Sequence, residues 1–371
     1  MKTAETYKRL CGRGVDITIA LLVFCVVFCV GYGYLRALST GERSAVTGIE
    51  LLYGPSVMLA QSRGFIEPDI LEYPVLRAFL RGEIEALPPD AVPETVIEHS
   101  SPVASYHRHL VYTVAFFWRI LGISWTSLEP LLALLLAWSG VAVYGLMRLG
   151  MRRSFAFPLA LVFMISPAML GTLTELRDFS KAPFILSMLW GLGWLIKNRV
   201  GFRQLIFWSV YLGFVAGLGM GFRQDIFVFV PLALASLTVA AFRVGCHPWR
   251  WMRLAAVPVC LACFYALAWP MMGHMEGGAH PGHHLVQGFT NKRLDNLGML
   301  PAAYRPMASG LDQYIFSALY DHMQRQGGDA AGHFTMDTAG SDLAGQRWLR
   351  DAVRHFPADL AARGYAAVLR N

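Results

Sequence analysis

Charge is scarce in this chain, and that scarcity excludes most water-soluble architectures. Charged residues make up 15% of the 371 residues against 55% hydrophobic, and the mean hydropathy is +0.43. A soluble domain carries about a quarter charged residues, so this much apolar surface calls for lipid in place of water. Acids are scarcer than bases, with 25 Asp and Glu against 32 Lys and Arg. A disulfide framework is also absent. Of six cysteines, Cys25, Cys29, Cys260 and Cys263 fall inside apolar runs, while Cys11 and Cys246 lie on the basic side that a cell keeps reduced. The C-x-x-C of Cys260 and Cys263 sits in a lipid-embedded run, where it reads as small-residue packing before redox or metal chemistry. No cleavable leader is evident, because the first apolar run is too long and lacks a small-residue cleavage site. No internal repeat is visible.

What is present is a series of seven apolar runs, at roughly 15–35, 129–147, 155–172, 180–196, 204–222, 226–242 and 254–272. At about 1.5 Å per residue the longest of these crosses a hydrocarbon core of about 30 Å, and those nearer seventeen residues call for tilt or local thinning. The predicted fold class is all-α, a multi-pass transmembrane helical bundle of about seven spans with interfacial helices in a long first external loop. Residues 1–272 form this membrane module, with the external loop at 37–128, and residues 273–371 form an external tail.

Sidedness follows from Lys and Arg. Lys8, Arg13, Arg148, Arg153, Lys197 and Arg253 typify a set of basic connectors that recur on one side, which the positive-inside rule makes cytoplasmic. The segment 37–109 instead carries ten Asp and Glu against five Arg. The net charge of +7 is thereby explained as a topology signal, so no nucleic acid is expected as a partner. Ser105–Ser124 is the stretch that tests the count. Its apolar residues Leu110, Val111, Val114, Phe117, Trp118 and Leu121 share one helical face, opposite Arg108, Tyr112 and Arg119. That pattern predicts an amphipathic helix in the outer interface in place of an eighth span. The short apolar helix at 51–62 is a second candidate for the interface.

Three external loops gather charge near the membrane boundary, where it is costly and therefore informative. In T-G-I-E-L-L-Y, Glu50 precedes Tyr53 by one helical turn; the carboxylate either deprotonates an acceptor or simply suits a helix N-terminus. In T-E-L-R-D-F-S-K-A-P, Glu175, Arg177, Asp178 and Lys181 crowd together, with Ser180 and Pro183 suited to start a helix. In G-L-G-M-G-F-R-Q-D, Arg223 and Asp225 occupy a tight turn after Gly213, Gly217 and Gly221, which recur every fourth residue as a close-packing face. All three loops emerge on one side. Carboxylates beside Arg and Lys there suit activation of an acceptor and stabilisation of a departing phosphate. The later segment H-M-E-G-G-A-H-P-G-H-H matches no defined zinc pattern and reads as an exposed loop, so no metal ligand is assigned. His107 and His109 read as headgroup neighbours.

This arrangement resembles the C-type superfamily of membrane glycosyltransferases, in particular its aminoarabinose-transferase and protein O-mannosyltransferase branch. That family has a seven-span module whose first external loop holds interfacial helices and an early catalytic acid in a D-E-x-x-Y run. The matching residues here are Ile49, Glu50 and Tyr53, with the first acid of the pair absent. T-E-L-R-D-F-S-K-A-P resembles the family's acid before a proline-containing helix start, with Asp178 its counterpart, and G-F-R-Q-D is similar in place to a later basic loop. The resemblance covers about residues 10–272. It implies transfer of a sugar from a polyprenyl-phosphate-linked donor to a lipid, glycan or protein acceptor at the external face, in a bacterial inner membrane with the N-terminus cytoplasmic. Glu50 and Asp178 would be the catalytic acids, Arg177, Lys181 and Arg223 the donor-phosphate contacts, and Tyr53, Glu175 and Asp225 their support. Some relatives use a divalent cation and others do not, so the cofactor is left open.

A transporter is the rival from another class, yet transporters place ionisable groups near the midplane, and these spans hold almost none there. A non-catalytic assembly subunit is the third reading, and convergence of Glu50, Asp178 and Arg223 on one cavity would count against it. The tail holds an amphipathic stretch at 342–356 that Pro357 stops, and Ala358–Arg370 reads as a surface helix or the first part of a further span. The chain is thus expected to be open to truncation before further spans.

Overall fold

Helices of the first unit follow from long apolar runs punctuated by proline and glycine. The computed structural model describes residues 2–39, 44–46, 50–70, 72–88, 91, 96–97, 102–243, 250–272 and 339–370. The chain divides into two compact units, Met1–His274 and Met275–Asn371.

In the first unit α1 spans Lys2–Leu38, and α2 (Glu50–Ala60), α3 (Pro74–Leu80), α4 (Pro102–Tyr106) and α5 (Arg108–Leu121) form the long loop between the first and second crossings. The spans continue with α6 (Glu129–Gly150), α7 (Arg153–Met164), α8 (Pro167–Gly171), α9 (Leu176–Phe179), α10 (Ala182–Lys197), α11 (Phe202–Met220), α12 (Phe229–Phe242), α13 (Arg250–Arg253) and α14 (Ala256–Met272). Two short strands, β1 (Glu67–Pro68) and β2 (Val96–Ile97), pair antiparallel within the loop. Among the described residues, six helical segments are long and apolar enough to cross a membrane: Gly14–Leu38, Thr126–Gly150, Leu176–Lys197, Phe202–Met220, Gln224–Phe242 and Trp251–Met272. The protein is an all-α, multi-pass integral membrane bundle.

The third predicted span is not one helix. Ser166 adopts an extended conformation and its hydroxyl accepts from the Met169 amide, while Pro167 opens α8 without an amide of its own. The crossing at 155–172 is therefore split into α7, twelve residues long, and the single turn α8. Together they still carry the chain from one end of the bundle to the other.

Polar contacts define those two ends. At the first, Asp16 binds Arg153 Nε at 2.7 Å, Arg148 Nε at 3.1 Å and the Tyr144 hydroxyl at 3.0 Å. Lys197 donates to the Leu149 carbonyl, Arg243 to that of Ile196 and Arg253 to that of Val200. The basic connectors thus gather at one end, as the charge pattern predicts. At the opposite end Arg36 lies 3.0 Å from the fully buried Glu129, and Arg108 donates to the Pro270 carbonyl at 3.1 Å. With the native cysteines replaced, Met151→Cys and Asp225→Cys are expected to react with a membrane-impermeant maleimide from opposite sides of sealed vesicles. Labelling of both from one side would overturn this arrangement.

Glycine sets the closest helix pair. A Cβ on Gly217 would lie 2.7 Å from the Phe264 carbonyl oxygen, and one on Gly213 would run into the Cys260 carbonyl. Backbone meets backbone there, so α11 and α14 are in direct contact and the C-x-x-C lies on a packing face, as its small side chains suggest.

The external loop departs from its predicted form. Helix α2 is enclosed by the loop's own residues: Leu52, Tyr53, Ser56, Val57 and Met58 are all buried, and the Ser56 hydroxyl donates to the Val111 carbonyl of α5 at 3.1 Å. Tyr53, Phe79, Trp118 and Trp125 form one aromatic core, with ring centroids 5.3 to 6.4 Å apart. Trp125 Nε1 donates to the Phe79 carbonyl at 2.7 Å and Trp118 Nε1 to that of Ser124 at 2.9 Å. A helix apolar all round needs cover on every side, and this core supplies it. In α5 the face bearing Leu110, Val111, Val114 and Trp118 is buried as expected, but Leu121 is exposed. The outer face is itself apolar, with Tyr112, Phe116 and Ile120 exposed at successive turns, a composition suited to headgroup and acyl contact.

The second unit's described part contains α15 (Ala339–His355) and α16 (Pro357–Arg370). The first of these ends at His355, just before Pro357, which opens α16, and the Arg363 guanidinium binds Asp359 at 2.7 Å. Neither helix is among the six long and apolar enough to cross.

Candidate functional site

Four segments deliver polar side chains to the end opposite the basic one. The α9–α10 turn brings Arg177, Asp178 and Lys181. Pro183 stands in the first turn of α10, as read from the sequence, but Ser180 is buried and donates to the Arg177 carbonyl at 2.9 Å instead of capping the helix. The turn after α11 brings Arg223, Gln224 and Asp225, because Arg223 leaves the helix in an extended conformation before the 3-10 turn Gln224–Val228. The break between α4 and α5 brings His107, and α2 brings Tyr53.

Asp178 and Lys181 do not pair with each other. Arg223 binds Asp178 and also lies 3.4 Å from Asp225, and Lys181 Nζ binds Asp225 at 2.9 Å. The result is an alternating chain, Asp178, Arg223, Asp225, Lys181, that ties two loops distant in sequence. Arg177 is partly buried behind it and its Nε donates to His107 Nε2 at 3.4 Å, which fixes that nitrogen as the acceptor. His107 is buried, so the reading of it as a headgroup neighbour is corrected: α4 and α5 turn it inward onto Arg177.

Tyr53 lies fully buried with its hydroxyl lacking a hydrogen-bond partner among the described residues, and Gln224 Nε2 is in the same state. Burial pushes the Tyr53 ionisation well above its ordinary value; Arg177 offsets part of this and Asp178 adds to it, so both lie within electrostatic reach. A neutral phenol with a free donor beside a guanidinium suits an oxygen-rich ligand. Glu175 is exposed and precedes α9. It shares with Asp178 and Lys181 the rim of a cleft of about 470 Å³ whose walls include Phe163, Met169, Ile185 and Leu186. Glu50 opens α2, but its side chain lies outside the described residues, as does the histidine-rich segment 274–284. Among the described residues no group of three or more His, Cys, Asp or Glu is placed to hold a metal ion.

Of the predicted site residues, the structure brings Tyr53, Arg177, Asp178, Lys181, Arg223 and Asp225 together, with Glu175 at the cleft rim. Sequence reasoning missed His107, Gln224 and the buried Glu129. Position 129 carried a signal, an acid beginning an apolar run, but its partner Arg36 lies more than ninety residues earlier.

His109 anchors α5. Its Nδ1–H donates to the Leu218 carbonyl at 2.9 Å, and its ring lies where a Cβ on Gly221 would stand. Burial lowers its pKa from the ordinary 6.5, with Arg108 adding to the effect and the Leu218 bond opposing it. The folded state therefore resists protonation. Stability from this group is present above pH 6.5 and falls as pH drops toward the lower folded value, because the unfolded chain takes up the proton first. The melting temperature is expected to decline on acidification below this point, less steeply in His109→Gln. An identical slope in that variant would remove His109 as the source.

Fold and site together define a multi-pass helical membrane protein with an ion-paired polar centre over one end of its bundle. Comparisons with protein-family models, curated proteins and solved structures found no match to this chain.

Proposed function

We propose that this protein is a membrane glycosyltransferase resembling the C-type superfamily, moving a sugar from a polyprenyl-phosphate-linked donor to a lipid, glycan or protein acceptor. The observation that carries the reading is an ion-paired chain whose two ends, Asp178 and Lys181, line an apolar cleft and are bridged by Arg223 and Asp225, at the end opposite the basic connectors. A lipid-tailed anion needs such a pairing, with apolar walls for its chain and cations for its phosphate. In the proposed reaction Asp178 or Glu50 takes the acceptor proton as the acceptor oxygen or nitrogen bonds to the sugar's anomeric carbon. The bond from that carbon to the phosphate oxygen breaks, and Arg177, Lys181 and Arg223 offset the charge left there. On this reading the site faces the exterior of a bacterial inner membrane and the N-terminus is cytoplasmic. Asp16, Arg36 and Glu129 lie near the ends of their membrane-crossing segments, which weighs against a transport path through the midplane.

The test is reconstitution of the full chain in liposomes with labelled polyprenyl-phosphate pentose and hexose donors and a membrane acceptor extract. Donor-dependent transfer with release of the polyprenyl phosphate is expected. Failure with every such donor, in protein that inserts and melts cooperatively, would overturn the proposal.

A further inference from the structure

The basic end of the bundle contains a second cleft, of about 370 Å³, between the first turns of the α1 span and the last turns of α6 and α10. Its inner wall is apolar, with Ile17, Ala20 and Val141, and its depth exists because Trp190 lies flat against Gly145, where a Cβ would come within 2.6 Å of the indole. A second indole, Trp194, one turn closer to Lys197 along α10, also lines it. Arg148, Lys197 and Asn198 form the rim with Asp16.

Charge at that rim is unbalanced. The single carboxylate of Asp16 faces both Arg148 and Arg153, with the Arg153 fork binding its two oxygens at 2.7 and 3.0 Å. With Lys197 there are, among the described residues, three cations against one anion, a surplus of two positive charges beside an apolar slot. The Lys197 ammonium rests on the Leu149 carbonyl and keeps further donors for another acceptor. Indoles at such a boundary favour the headgroup level, where one face is apolar and the N–H is wet.

We propose that this cleft binds one anionic glycerophospholipid from the adjoining leaflet, its phosphate between Lys197 and Arg148 and an acyl chain along Ile17, Ala20 and Trp190. Charge complementarity selects the occupant. A zwitterionic lipid would bring its own cation against the rim, whereas an anionic headgroup neutralises the surplus. The lipid would tie α1 to α10 across α6 and stabilise the bundle. The site is at the opposite end from Asp178, so it stands or falls independently of the proposed transfer reaction.

The full chain in neutral detergent is the material for the test. Phosphatidylglycerol is titrated while the melting temperature is followed, and native mass spectrometry counts retained lipid. Phosphatidylglycerol is expected to raise the melting temperature saturably with one lipid retained per chain, while phosphatidylcholine and soluble glycerol phosphate leave it unchanged. Lys197→Gln should shift the half-saturating concentration upward about fivefold, the share of one surface lysine. Trp194→Ala should also weaken retention, and Arg119→Gln, on α5, should behave as the unaltered protein. An equal response to phosphatidylcholine, an equal response to glycerol phosphate, or an unchanged titration in Lys197→Gln would each overturn the proposal.

Discussion

Asp178→Asn is expected to lower sugar transfer by about two to three orders of magnitude while the protein still inserts and melts near the unaltered temperature. Two physical losses combine in this variant. The carboxylate is one of the proposed proton acceptors, and it also holds Arg223 in place from one side while Asp225 holds it from the other. An amide of the same shape keeps the packing, cannot take the proton, and holds Arg223 only through a neutral hydrogen bond in place of an ion pair. Stability should change by about 1 kcal/mol or less, because Asp178 is about half exposed and such pairs are screened by water. Glu50→Gln is the companion variant. Whichever carboxylate is the base, its amide should remove the acidic limb of the pH–rate profile, and the other variant should keep that limb at reduced rate. Wild-type turnover in both would eliminate both residues as bases. Arg223→Lys should restore charge without the planar fork, recovering only part of the loss that Arg223→Ala produces.

Gly217→Leu is expected to destabilise the bundle by about 3 kcal/mol or more, read as loss of monodisperse protein in detergent and a collapsed melting transition. The cause is geometric. Any Cβ at this position meets the Phe264 carbonyl oxygen and the Cβ of Leu267, and backbone cannot swing aside as a side-chain tip can. Separating α11 from α14 would also displace the turn that positions Arg223, so activity should fall with stability. Gly33→Ala is the contrasting change, since nothing stands within 4 Å of its Cβ position. It should be neutral or slightly stabilising, because alanine loses less backbone entropy in a helix. A Gly217→Leu protein as stable as Gly33→Ala would show that the two helices do not pack as described.

Asp178 and Arg223 could be picked from the sequence because charge beside long apolar runs is costly wherever the chain folds. Their mutual contact could not. Each loop reads alone as a solvated connector with internal pairs, and Asp178 with Lys181 even has the spacing for a local bridge; the observed bonds run between loops instead. The cover over α2 has the same origin. Its apolar composition on all sides calls for apolar surroundings, and only the fold shows that Phe79, Trp118 and Trp125 supply them around Tyr53. His107 reads as a polar residue near headgroups until Arg177 is seen beside it.

The amino-acid sequence by itself determined the all-α bundle, the order of its apolar runs and the gathering of basic connectors at one end. These depend on hydrophobic length and on the local cost of charge in lipid, which neighbouring residues set. Tertiary structure alone decided that the first loop folds around an aromatic core, that the third crossing breaks at Ser166, and that two turns at one end of the bundle share one chain of ion pairs. Those outcomes depend on contacts between residues tens of positions apart, where the energy belongs to the pair and neither partner's own neighbourhood encodes it.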